Sequence, residues 1–109
     1  MGGGRVVECN TKAEWDAQLA AAGDKAVIVD FSAVWCGPCQ MIGPVFVQLS
    51  EQYPDLVFLK VDVDANADVA ATCGISAMPT FQVWKNGAKV DEFVGAAKDK
   101  LKAFCEKYA

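Results

Sequence analysis

Ala26-Val27-Ile28-Val29-Asp30-Phe31 leads through a short connection into Trp35-Cys36-Gly37-Pro38-Cys39. The first stretch is apolar almost throughout, which is the pattern of a strand covered on both faces. After the cysteines, Ile42, Val45, Phe46, Leu49 and Tyr53 recur at helical spacing. That spacing predicts a helix from about Cys36 to Gln52, with Pro44 inside it as a kink. Two cysteines three apart at a helix start share one face, with Cα atoms about 5–6 Å apart, the range that a disulfide needs. Unpaired N–H groups and the positive dipole end of the helix stabilise an anion there. A thiolate therefore forms more readily at Cys36 than on a free cysteine. This is the chemistry of a dithiol that opens and closes. The bland alternatives are two small core residues, or half of an intermolecular zinc site.

Outward from this unit, Arg5-Val6-Val7-Glu8-Cys9 reads as a first strand. Thr11-x-x-Glu14 is a capping box for a helix that carries Trp15 and Leu19 and stops at Gly23. Leu56 to Val61 is a second apolar strand, and Ala65 to Thr72 a short helix ending near Gly74. Thr80 to Trp84 and Ala88 to Val94 flank Lys85-Asn86-Gly87, a strong hairpin signal. Leu101, Phe104, Cys105 and Tyr108 mark a last helix. The order β-α-β-α-β-α-β-β-α predicts an α/β fold: one mixed sheet of five strands with helices on both faces. The 109 residues make a single domain, with residues 1–4 expected to be flexible.

The totals narrow the function. A net charge of −4 with no basic cluster gives nucleic acid no electrostatic hold. No apolar run approaches the roughly 20 residues of a membrane span. The N-terminal stretch lacks an apolar leader segment, so the expected address is the cytoplasm, where thiols stay reduced. Five cysteines and no histidine make a poor disulfide framework and too few ligands for a zinc site within the chain.

Trp35-Cys36-Gly37-Pro38-Cys39, Asp30, Pro44, Val61-Asp62-Val63-Asp64, Met78-Pro79-Thr80 and Lys85-Asn86-Gly87 together resemble the thioredoxin family, from about Val6 to Leu101. The small eukaryotic cytosolic members are the most similar in character. Some animal members carry a cysteine just before the Met-Pro pair. Ala77 stands there in this chain, so regulation through such a cysteine does not carry over.

The resemblance implies a protein disulfide reductase with no bound cofactor. Its redox-active disulfide is Cys36–Cys39, with Cys36 as nucleophile and Cys39 as the resolving thiol. Gly37-Pro38 between them resembles the reducing members. Electrons come from NADPH through a separate flavoprotein, thioredoxin reductase. The acceptors implied are peroxiredoxin, methionine sulfoxide reductase and ribonucleotide reductase, and the chain is expected to be a monomer. Asp30 reads either as a strand-end acid facing water or as a buried acid moving protons near Cys39. Lys60 either partners Asp30 or snorkels to solvent. The resemblance also implies a cis bond at Met78-Pro79 and a substrate-binding backbone at Met78. It places Trp35, Met78, Pro79, Val94, Gly95 and Ala96, with Gly37 and Pro38, on a flat apolar contact surface; core packing is the other reading of Trp35. Cys9 and Cys105 read as core residues. Cys73 closes a short helix, which leaves open an exposed position and a minor redox role. The functional alternative is a binding module that uses the same patch without turnover, which would not need the intact dithiol.

Overall fold

The computed structural model describes residues 3–109. In chain order the elements are β1 (Val6–Glu8), α1 (Lys12–Ala22), β2 (Val27–Ser32), α2 (Gly37–Gln52), β3 (Val57–Asp62), α3 (Ala67–Thr72), β4 (Thr80–Lys85), β5 (Ala88–Val94) and α4 (Lys98–Tyr108). The strands form one sheet in the order β1-β3-β2-β4-β5. β1–β3 and β3–β2 are parallel, as strands joined by helical crossovers must be. β2–β4 and the β4–β5 hairpin are antiparallel. The element order, the mixed sheet and the helices on both faces match the sequence reading.

The local signals act as their chemistry requires. Thr11 caps α1, its Oγ1 accepting from the Glu14 N–H at 3.1 Å, while the Glu14 carboxylate accepts the Asn10 N–H at 2.8 Å. At the hairpin, Asn86 (φ 53°) and Gly87 (φ 78°) both take positive φ, the requirement of a tight turn that matches strand twist. Met1 and Gly2 of the expected flexible run lie outside the described residues. Gly4, at φ +55°, passes so close to α2 that a Cβ would lie 2.9 Å from Ser50 Oγ.

Alternation along the strands divides the core into two layers. Ile28, Phe58, Phe81 and Val83 face Ile42, Phe46 and Leu49 of α2 and Leu101 and Cys105 of α4. Val27, Val29, Phe31, Leu59 and Val61 face Trp15 of α1 and Val69 of α3. β2 is buried along its whole length between these layers. Its C-terminal end delivers the chain directly into the start of α2, which places the dithiol at one edge of the molecule.

Candidate active site

Cys36 is the N-cap of α2, with extended backbone (φ −89°, ψ 110°), and its Sγ accepts the Cys39 N–H at 3.3 Å. Pro38 occupies the first turn, where its missing N–H costs no hydrogen bond. No acidic side chain lies in that turn, so the positive end of the helix dipole is left for the sulfur. Cys36 and Cys39 are joined as a disulfide with Cα atoms 5.3 Å apart. They pack with Ala33 in a small cluster that Val63 and Met78 cover, and both are largely buried. Gly37 and Pro38 beside them are exposed.

Asp30 is 1% exposed, which excludes the water-facing reading. Its Oδ1 has no hydrogen-bond partner. Desolvation pushes the carboxyl up to about 7, and the charge of Lys60 offsets part of that. Asp30 and Lys60 are register partners on β2 and β3. No ion pair joins them among the described residues, although the lysine is only half-buried and its charge still acts on the carboxyl. Both line a cleft of about 240 Å³ with Cys39, Gln40 and Pro44. The buried acid and the inner cysteine thus share one space.

Opposite the dithiol, the Met78–Pro79 bond is cis. The Pro79 carbonyl accepts the Gly95 N–H at 2.9 Å, and Thr80 Oγ1 donates to the Ala77 carbonyl at 2.6 Å. These bonds bring the start of β4 and the end of β5 beside each other, with Val94 and Ala96 exposed. Trp35 is 66% exposed, so it is not a core residue. Its indole N–H donates to Asp64 Oδ2 at 2.8 Å, a bond between positions 29 apart. The sequence reading singled out no role for Asp64; its only signal was membership in the Val61-Asp62-Val63-Asp64 motif. Val34 and Met41, also exposed beside this end of α2, escaped it as well.

The remaining cysteines are not exposed thiols. Cys9 and Cys105 are fully buried, as expected. Cys73 is buried too, correcting the surface position left open for it, because the end of α3 folds onto the sheet. Burial pushes each of the three thiols up to about 11. Among the described residues no group of three or more His, Cys, Asp or Glu is placed to hold a metal ion, and no helix is long and apolar enough to cross a membrane.

The family model for thioredoxin matches residues 6–107. The chain is 56% identical over 110 residues to the H-type thioredoxin of Chlamydomonas reinhardtii, covering 98% of this chain and 97% of that protein. It is 57% identical over 99 residues to mouse thioredoxin, covering 91% and 94%. The crystal structure of a wild-type poplar thioredoxin h superposes with a TM-score of 0.92 at 43% identity, covering 95% of this chain and 96% of that one. With a redox-active cysteine pair at the head of α2 and a match that runs from β1 into α4, the chain belongs to the thioredoxin family and is a thiol–disulfide oxidoreductase.

Proposed function

We propose that the chain reduces protein disulfides with Cys36 as the attacking thiolate and Asp30 as the proton acceptor for Cys39. The observation that carries this reading is Cys36 Sγ at the N-cap of α2 while Cys39 and Asp30 line one cleft. The Cys36 thiolate attacks a substrate sulfur, forming a mixed disulfide and expelling the first substrate thiolate. Cys39 then passes its proton to the Asp30 carboxylate and attacks Cys36 Sγ. The second substrate thiolate leaves, two electrons have passed to the substrate, and the Cys36–Cys39 disulfide remains. An acid held near about 7 suits this transfer, because it is partly ionised at neutral pH and still a competent base. The approach of Lys60 to the same cleft keeps the ionised form accessible.

Trp35, Gly37, Pro38, Met78, Pro79, Val94, Gly95 and Ala96 form the docking surface in this proposal, with the Met78 backbone pairing to an extended substrate segment. The exposure of Trp35 and Val94, and the packing of Met78 against the dithiol, support it. The family as a whole acts with thioredoxin reductase and disulfide-containing proteins. Here the electrons come from NADPH through that flavoprotein, and peroxiredoxin, methionine sulfoxide reductase and ribonucleotide reductase are the acceptors. The protein works as a cytoplasmic monomer, in a compartment that keeps buried free thiols such as Cys9, Cys73 and Cys105 reduced.

An insulin-reduction assay with dithiothreitol tests the roles. Cys36→Ser abolishes turnover while the fold survives, and Cys39→Ser accumulates a mixed disulfide through Cys36. Turnover of Cys36→Ser above about a tenth of wild type would end the nucleophile assignment.

A further inference from the structure

We propose that Gln82 and Glu92 are positioning residues for disulfide exchange, holding the Met78–Pro79 segment where a protein substrate can pair with it across from the dithiol. The proposal rests on the reading above that the Met78 backbone docks substrate. Gln82 stands in the middle of β4, between Val29 of β2 and Glu92 of β5. It is fully buried, and its side of the sheet is the layer of Val29, Phe31, Trp15 and Val69. An amide there is costly unless its polar atoms are paired. All of them are. Nε2 donates to the Cys73 carbonyl at 3.0 Å and to Glu92 Oε2 at 2.7 Å, and Oε1 accepts the Trp84 indole N–H at 2.8 Å.

An apolar residue of the same volume would fill the space but would leave the Cys73 carbonyl and the Trp84 indole N–H without this partner. What the amide adds is location, since its two N–H bonds fix the Cys73 carbonyl relative to the β4–β5 hairpin. Cys73 is the C-cap of α3, and the chain leaves it through Gly74 (φ +74°) toward Met78. At the far end of that segment, Thr80 holds the Ala77 carbonyl and Gly95 holds the Pro79 carbonyl. Residues 74–79 are therefore slung between two anchors, and both anchors belong to the same hairpin. The Ile75 N–H bond to the Ala70 carbonyl, at 3.0 Å, ties the segment to α3, which packs on the sheet through Val69 and Cys73 and has its C-cap carbonyl held by Gln82. Glu92 completes the device from the exposed edge, where Lys89 holds its other oxygen at 3.3 Å. None of these bonds involves Cys36, Cys39 or Asp30.

The test compares the full chain carrying Gln82→Met, Glu92→Ala or Glu92→Gln, using insulin and the small disulfide dithiobis-nitrobenzoate. Misplacing the docking backbone should raise KM for insulin about ten-fold in Gln82→Met and about three-fold in Glu92→Ala. The kcat on insulin and the rate on the small disulfide should both stay within about two-fold. Glu92→Gln retains an acceptor and should restore the wild-type KM. Hydrogen exchange of the amides of residues 74–79 should quicken in the first two variants only. An unchanged insulin KM in Glu92→Ala, or equal losses on both substrates, overturns the proposal, and Glu92→Ala alone decides it if Gln82→Met does not fold. Trp35→Ala separates the layers of the argument. If it raises the insulin KM while the Gln82 and Glu92 variants do not, this proposal fails alone. If it too leaves KM unchanged, the docking reading fails and takes this one with it.

Discussion

Asp30 is the residue at which stability and chemistry oppose each other. An ionised carboxylate with an unpaired oxygen in the core is destabilising, yet in the proposed mechanism its proton affinity near neutrality is what lets it serve Cys39. The folded chain holds the proton up to about pH 7, whereas the unfolded chain releases it near 3.8. The stability that the protonated folded form contributes is complete below about 4 and is lost as pH rises through about 7. Asparagine carries no such proton, so Asp30→Asn should stabilise the protein by on the order of 4 kcal/mol at pH 8 and hardly at all at pH 4. Disulfide exchange at neutral pH should slow in the same variant. Denaturant melts at the two pH values check the first effect; a variant less stable at pH 8 would make Asp30 a structural acid. Thiol reactivity is the second residue-scale prediction. Iodoacetamide should label Cys36 of the reduced protein first, because its sulfur caps a helix, while burial holds Cys9, Cys73 and Cys105 protonated. Peptide mapping that finds Cys73 labelled first would contradict this.

Among the elements, α2 and α1 begin on different chemistry. A redox sulfur occupies the cap of α2, whereas α1 begins on a capping box that satisfies its amides and touches nothing catalytic. Thr11→Ala should therefore cost about 1 kcal/mol in a denaturant melt and leave insulin reduction unchanged. A comparable loss of activity would mean that α1 helps to shape the site. The capping box, the Asn86-Gly87 turn and the apolar run of β2 were all legible in the sequence, because each depends on residues within a few positions of one another. The end of α3 was not. Cys73 looks exposed when the helix is read alone, and it is buried because its side chain packs into the layer of Val29, Phe31 and Val69, while Gln82, a residue of another element, holds its carbonyl.

Across the whole molecule, an aromatic row joins α2 and α4, the helices on one face of the sheet, through the hairpin. Phe46 of α2 meets Phe81 of β4 with ring centroids 5.8 Å apart; Phe81 stacks on Phe93 of β5 at 5.1 Å, and Phe93 meets Phe104 of α4 at 4.9 Å. Phe81 is fully buried at the centre of this row. Phe81→Ala should cost about 3–5 kcal/mol, a large share of the roughly 5–15 kcal/mol that a domain of this size has. Urea melts check the loss. A loss under about 1 kcal/mol would mean that the row does not hold α4 to the sheet.

The sequence by itself determined the elements, the layered α/β class and the dithiol at the head of a helix. These follow from hydrophobic period, turn chemistry and the spacing of two cysteines, all of which are local. The tertiary structure alone decided which polar groups meet: Asp30 without an ion pair to the adjacent Lys60, Trp35 held outward by Asp64, and Gln82 between Cys73 and Glu92. The physical reason is that burial and partnership belong to pairs of elements. A strand's alternation says which side chains share a face, but the burial of that face and the atom each polar group meets depend on which elements cross there.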